Sequence, residues 1–197
     1  LPEPWAEPTV RRSLAAALCA DVFWYDQAAC ASPRTIFLVG TPMANGRARQ
    51  ELAVELDRAV TAGGYAVDTA MAIEKLTSVC ELAADGLATR VSLRRNEVAH
   101  VDLDVSATPP RRWLGTGTFV WAEVGDLAEL TPMLRRGDQT VTHFGFSRRQ
   151  LSDFVRRCAD RAPDRLVPVG RALECSTVWD GVDLLREFTR ITTVDGG

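Results

Sequence analysis

The sequence predicts an α/β fold with a mostly parallel sheet flanked by helices, and three observations carry that reading. Short strand-like runs alternate with helical patterns along most of the chain, as parallel sheets require. The run Thr35 to Val39 (TIFLV) is almost wholly apolar, which suits a strand covered on both faces. The 197 residues, 46% of them hydrophobic and 25% charged, are enough to bury a sizeable core.

Each element has its own signal. Residues 9–27 read as a helix through the spacing of Leu14, Leu18, Val22 and Phe23. Residues 28–34 break it, and Pro33 pushes Ser32 out of the α region. After the strand at 35–39, residues 40–46 read as a loop. Residues 47–61 form a helix with Leu52, Leu56 and Val60 on one face and Gly63-Gly64 as its stop. A third helix is expected over 69–87, with Met71, Leu76, Val79, Cys80 and Ala83 inward. Residues 89–93 and 98–105 alternate as strands, and 116–121 is another. Asp126 caps an expected helix to Arg135, and 139–144 is a strand. Ser147 caps a helix to Arg161 that buries Leu151, Phe154, Val155 and Cys158. Residues 165–169 form a strand, 183–190 a last helix, and 191–194 a terminal strand. With no repeat or linker, residues 1–197 are expected to form one domain.

Composition excludes several classes of function. A formal net charge of -3 is poorly suited to binding phosphate backbones, so no nucleic acid partner is expected. No apolar run approaches the roughly 20 residues of a membrane span. Leu1 to Pro8 is too rich in proline and acid for a secretory signal. The five cysteines are irregularly spaced, and His100 and His143 stand far apart. That argues against zinc and against a disulfide framework, so a reducing, cytoplasmic setting is expected. The start at Leu1 suggests an excised piece or the second half of a longer polypeptide.

Few motifs carry chemistry. Gly40 to Gly46 lacks the Lys-Ser/Thr pair of a phosphate loop and reads as a plain strand-to-helix connection. No Gly-x-Gly-x-x-Gly and no Gly-x-Ser-x-Gly is present. Trp24, Tyr25 and Trp113 read as core or interface aromatics, since no basic stripe surrounds them. His143 lies in an apolar run and reads as a buried, hydrogen-bonded histidine, with an acid/base role as the other reading. Cys19, Cys80 and Cys158 sit among apolar helical neighbours and need no role beyond packing. Cys175 is ambiguous. Cys30 stands apart. It lies in the break between helix and strand, with alanines on both sides, and Arg34 four residues on could favour a thiolate.

The segment Phe23-Trp24-Tyr25-Asp26-Gln27-Ala28-Ala29-Cys30-Ala31-Ser32-Pro33-Arg34-Thr35-Ile36-Phe37 resembles the nucleophile segment of the aldehyde dehydrogenase superfamily. Its Ala-Cys-Ala-Ser-Pro-Arg core is similar to that of the LuxC-type acyl-CoA reductases, the reductase component of bacterial bioluminescence fatty acid reductases. His143 to Phe146, Asp164 to Leu173 and Trp179 to Leu185 match in register, so the resemblance covers most of residues 20 to 190.

The resemblance implies a catalytic domain in which Cys30 attacks the thioester of an acyl-CoA or acyl-loaded carrier. NADPH then reduces the acyl-enzyme to a fatty aldehyde, with the Cys30 backbone N–H helping to bind the oxyanion. The family's dinucleotide-binding half, second oxyanion donor and general base would precede this chain. The Glu-x-Phe-Gly-Pro segment of ordinary aldehyde dehydrogenases has no match, and Ala122 to Asp126 does not supply one. A cofactor-binding half or partner subunit is therefore expected, within an oligomer or complex. The contrasting readings are a docking domain without turnover, and an acyl transferase or thioesterase that uses Cys30 alone.

Overall fold

One strand of seven residues explains why the chain builds a sheet covered on both sides. In a computed structural model that describes residues 2–196, Thr118–Val124 (β4) is the most deeply buried strand of a four-stranded sheet. Its residues alternate between two cores, as the period of a strand requires. Phe119 and Trp121 face one cluster with Leu14, Leu18, Leu52 and Leu56, while Val120 faces another with Val79 and Leu82. The first cluster belongs to two helices, Pro8–Phe23 (α1) and Pro42–Gly63 (α2), and the second to Thr69–Ala84 (α3).

The strand order is Thr35–Val39 (β1), β4, Val98–Leu103 (β3), then Ala88–Arg94 (β2). β1 and β3 both run parallel to β4, and β2 pairs antiparallel with β3. The mostly parallel α/β architecture is thus present. A second, two-stranded parallel pair joins Thr140–His143 (β5) to Arg165–Pro168 (β6), with Leu127–Leu130 (α4) before it and Arg148–Cys158 (α5) between the strands. Phe154 and Cys158 of α5 pack with Val124 and Leu130, against Phe37 and Val39 of β1. A hairpin of Val178–Trp179 (β7) and Val182–Asp183 (β8) leads to the single turn Leu184–Glu187 (α6).

Several expectations need correction. α2 begins at Pro42 rather than Arg47. Thr41 caps it through a bond from the Ala44 N–H, and Pro42 occupies the first turn, where its missing N–H costs nothing. The helix expected over 126–135 breaks after α4 into a 3-10 turn, Thr131–Met133, at Pro132. On α3, Leu76 and Cys80 are exposed and Lys75 and Ser78 are buried, because Val79 and Leu82 set the face that meets the sheet. The last helix shrinks to α6. Residues 191–194 form no strand, and Ile191 is 97% exposed, since no sheet edge lies against it. The expected domain bounds include Leu1 and Gly197, which lie outside the described residues. Among those described, no helix is long and apolar enough to cross a membrane.

Candidate active site

α1 ends at Phe23 rather than Gln27, and the way it ends builds the loop that carries Cys30. Residues 24–27 form a turn in which Asp26 and Gln27 adopt φ of 52° and 58°. Two successive left-handed residues other than glycine cost about 1–3 kcal/mol each. The buried Gln27 side chain offsets this cost. Its Nε2 donates to the carbonyls of Pro33 (2.8 Å) and Thr118 (2.9 Å), and its Oε1 accepts from the Thr118 N–H (3.0 Å). The Asp26 carbonyl accepts from Trp113 Nε1 at 2.9 Å. Gln27 therefore ties both ends of the segment 27–33 to the start of β4.

Cys30 sits at the tip of that closed segment. The Ser32 N–H donates to the Ala29 carbonyl (3.1 Å), which makes Ala29 to Ser32 a turn with Cys30 second. The thiol is exposed between two alanines. Among the described residues, the Cys30 N–H donates to no backbone carbonyl. Trp24 and Tyr25, read from sequence as core or interface aromatics, are 73% and 57% exposed on the preceding turn, residues 24–27, and are not core.

A cavity of about 790 Å³ opens beside this loop. All of β1 and all of β5 line it, so the open edge of the main sheet faces the smaller pair across the gap. Leu14, Leu18, Leu52, Phe144 and Leu166 make its walls largely apolar, and Cys30, Ser32 and Arg34 contribute to it as well. Arg34 Nη1 donates to the Arg111 carbonyl, and Arg111 in turn pairs with Asp138 at 2.7 Å. Two polar side-chain atoms in the lining, Ser32 Oγ and His143 Nδ1, are buried with no hydrogen-bond partner in the protein. His143 is thus not the hydrogen-bonded histidine expected at Nδ1, and burial holds its pKa below the usual value.

The other thiols divide by burial. Cys19 is buried on α1, and burial, aided by the Asp57 charge, pushes its thiol up to about 12. Cys158 is also buried and also raised. Cys80 and Cys175 are exposed. His100 is buried and fully engaged, with Nε2 at 2.9 Å from Asp57 and Nδ1 accepting from Trp121 Nε1. No cluster of three or more His, Cys, Asp or Glu suited to a metal occurs among the described residues.

The C-terminal segments singled out in the sequence have structural work instead. Asp21 of α1 accepts from the amides of Gly170 (2.6 Å) and Ala172 (3.0 Å). Gly170 has φ 92°, and a Cβ there would stand 2.8 Å from the Ala17 Cβ. The buried Arg165 reaches the carbonyls of Ala172 and Glu174 and lies 4.3 Å over the Trp179 ring. Asp180 and Gly181, both with positive φ, turn the β7–β8 hairpin. These residues hold the β5–β6 unit against α1.

A Rossmann-type NADPH site holds the pyrophosphate with free backbone N–H groups at a strand-to-helix turn. The residues present do not fit it. At the β1–α2 turn, Thr41 takes the Ala44 N–H, and the buried Asn45 fills the space with Nδ2 bonds to the carbonyls of Leu38, Gly40 and Val124. A Cβ at Gly40 would already stand 3.3 Å from Asn45 Oδ1. At the β5–α5 turn, Ser147 and Gln150 cap each other.

Sequence reasoning singled out Cys30 but neither Gln27, which pins its loop, nor Ser32, whose hydroxyl is buried without a partner. The signal for Gln27 was a polar pair, Asp26-Gln27, just where the apolar helical spacing stops. A search of curated proteins finds no match to this chain. The family model described as acyl-CoA reductase (LuxC) matches residues 7–191, which takes in the Cys30 loop, most of the cavity lining and the Asp21–Arg165–Trp179 unit. The chain belongs to the LuxC acyl-CoA reductase family.

Proposed function

We propose that this chain is the thioester-handling part of a fatty acyl-CoA reductase, with Cys30 as nucleophile. The thiolate attacks the carbonyl carbon of an acyl-CoA or an acyl-loaded carrier. The Sγ–C bond forms, the carbonyl electron pair moves to oxygen and returns, and the C–S bond to the carrier thiol breaks. The departing thiolate takes up a proton, and a thioester on Cys30 remains. NADPH is the reductant that turns such an acyl group into aldehyde, and another domain or subunit holds it, in keeping with the filled turns described above. The exposed Trp24 and Tyr25 beside Cys30 support a partner surface there.

The observation that carries this reading is an exposed cysteine on a pinned turn in the wall of a largely apolar cavity of about 790 Å³. That volume lies within the range of small-molecule sites, roughly 300–1,000 Å³. The test is incubation of the chain with dodecanoyl-CoA for hours, read by intact-protein mass. One added acyl group is expected, absent in Cys30→Ala, with no aldehyde formed when NADPH is added. Acylation that survives in Cys30→Ala moves the nucleophile elsewhere. Steady release of free fatty acid favours a thioesterase instead, and aldehyde formation refutes the division of labour.

A further inference from the structure

We propose that Ser32 is a catalytic oxyanion donor, its hydroxyl binding the thioester carbonyl oxygen of an acyl group under attack by Cys30. The proposal rests on the reading of Cys30 as nucleophile. It starts from a cost the fold does not explain. Ser32 is 5% exposed, and its Oγ has no hydrogen-bond partner in the protein. A hydroxyl buried without a partner costs about 1–3 kcal/mol. Alanine would fill the same space without that cost, so nothing in the packing calls for a hydroxyl at this position.

Its placement supplies the reason. Ser32 closes the turn on which Cys30 is second, and both residues line the same cavity. The backbone on either side is fixed, by the Ser32 N–H bond to the Ala29 carbonyl and by the Gln27 bond to the Pro33 carbonyl. With the backbone held, rotation about Cα–Cβ is the freedom left to the hydroxyl, and in the proposed role it turns Oγ toward the carbonyl of a group arriving at Cys30. When Sγ adds to the thioester, negative charge develops on the carbonyl oxygen. A hydroxyl that has surrendered no other bond donates to that oxygen at no exchange cost. The Cys30 N–H is a further donor on the same turn, and both act beside any donor supplied from outside this chain. No proton is transferred to the oxygen, and the pair of electrons returns to the carbonyl as the carrier thiolate leaves.

Two reactions of the same thiol separate this role from a structural one. Addition to a thioester builds an oxyanion, whereas alkylation by iodoacetamide displaces iodide at a saturated carbon and builds none. In Ser32→Ala, single-turnover acylation of the full chain by dodecanoyl-CoA should slow about 10²–10³-fold, the usual loss for one oxyanion donor. Alkylation of Cys30 should keep its rate, and the unfolding midpoint should hold or rise, because an unpartnered hydroxyl has been removed. Acylation at the unaltered rate overturns the proposal while leaving Cys30 as nucleophile. Equal slowing of both reactions also overturns it, since Ser32 would then act on the thiol or the loop. Acylation of the unaltered chain that is absent, or that persists in Cys30→Ala, overturns the reading of Cys30 and this proposal together.

Discussion

At the scale of single residues, one glutamine governs how the Cys30 loop is presented. Gln27 spans the Cys30 segment with three bonds to main-chain atoms, and these bonds offset two left-handed backbone conformations. Burial keeps Cys19 and Cys158 protonated, since the pKa of each is raised. Brief iodoacetamide treatment followed by peptide mapping should therefore label Cys30 well before either of them. Cys80 and Cys175 are the informative controls, because they are exposed but lie on no pinned turn. Cys30 is expected to lead both, and Gln27→Met should erase that lead while lowering stability by about 1–3 kcal/mol. A lead held by Cys80 or Cys175 in the unaltered chain would mean that exposure alone sets reactivity here.

At the scale of elements, α3 is joined to the β2–β3 hairpin by a charge in an unusual place. Lys75 is 2% exposed, and its Nζ donates to the carbonyls of Asn96 (2.6 Å) and Glu97 (2.8 Å). Desolvation lowers its pKa to about 8, from an ordinary value near 10.5. The folded state therefore gives up this proton at lower pH than the unfolded chain does. Between those two values the unfolded state binds more protons, so this group's contribution to stability rises with pH and is lost as pH falls through about 8. Lys75→Met keeps the apolar stem but leaves two carbonyls without their donor. Denaturant midpoints at pH 7, 9 and 10 should show the unaltered chain ahead by a margin that widens with pH. A margin that narrows over this range would show that the ammonium is stabilised rather than penalised at this site.

At the scale of the whole molecule, the open edge of β1 faces β5 across the cavity, and the strand-to-helix turns that could cradle a pyrophosphate are filled by Asn45 and by the Ser147–Gln150 pair. Thiol chemistry and cofactor binding thus fall to different parts of the working enzyme in the function proposed above. Calorimetric titration of this chain with NADPH should show no binding tighter than about 10 μM, which corresponds to about 7 kcal/mol. Tighter binding would place the cofactor on a surface other than these turns.

Periodicity and local chemistry alone were enough to determine much of this protein. The spacing of Leu14, Leu18 and Val22 marked α1, the TIFLV run marked β1, and the small residues around Cys30 marked an accessible thiol. These signals are local, because they depend on which neighbours follow at fixed steps along one element. Thr41-Pro42 was equally local and was obscured by the glycines around it, which read as a loop. Other features had no local signal. Leu76 and Cys80 turn outward because the sheet meets the Val79 face of α3. The Gln27 clamp joins residues 91 apart in the chain, and the Asp21 clasp joins residues 149 and 151 apart. Ser32 became a candidate donor only when packing closed around its hydroxyl without supplying a partner. Whether a polar atom is satisfied depends on every element that comes near it, and only the folded chain decides which those are.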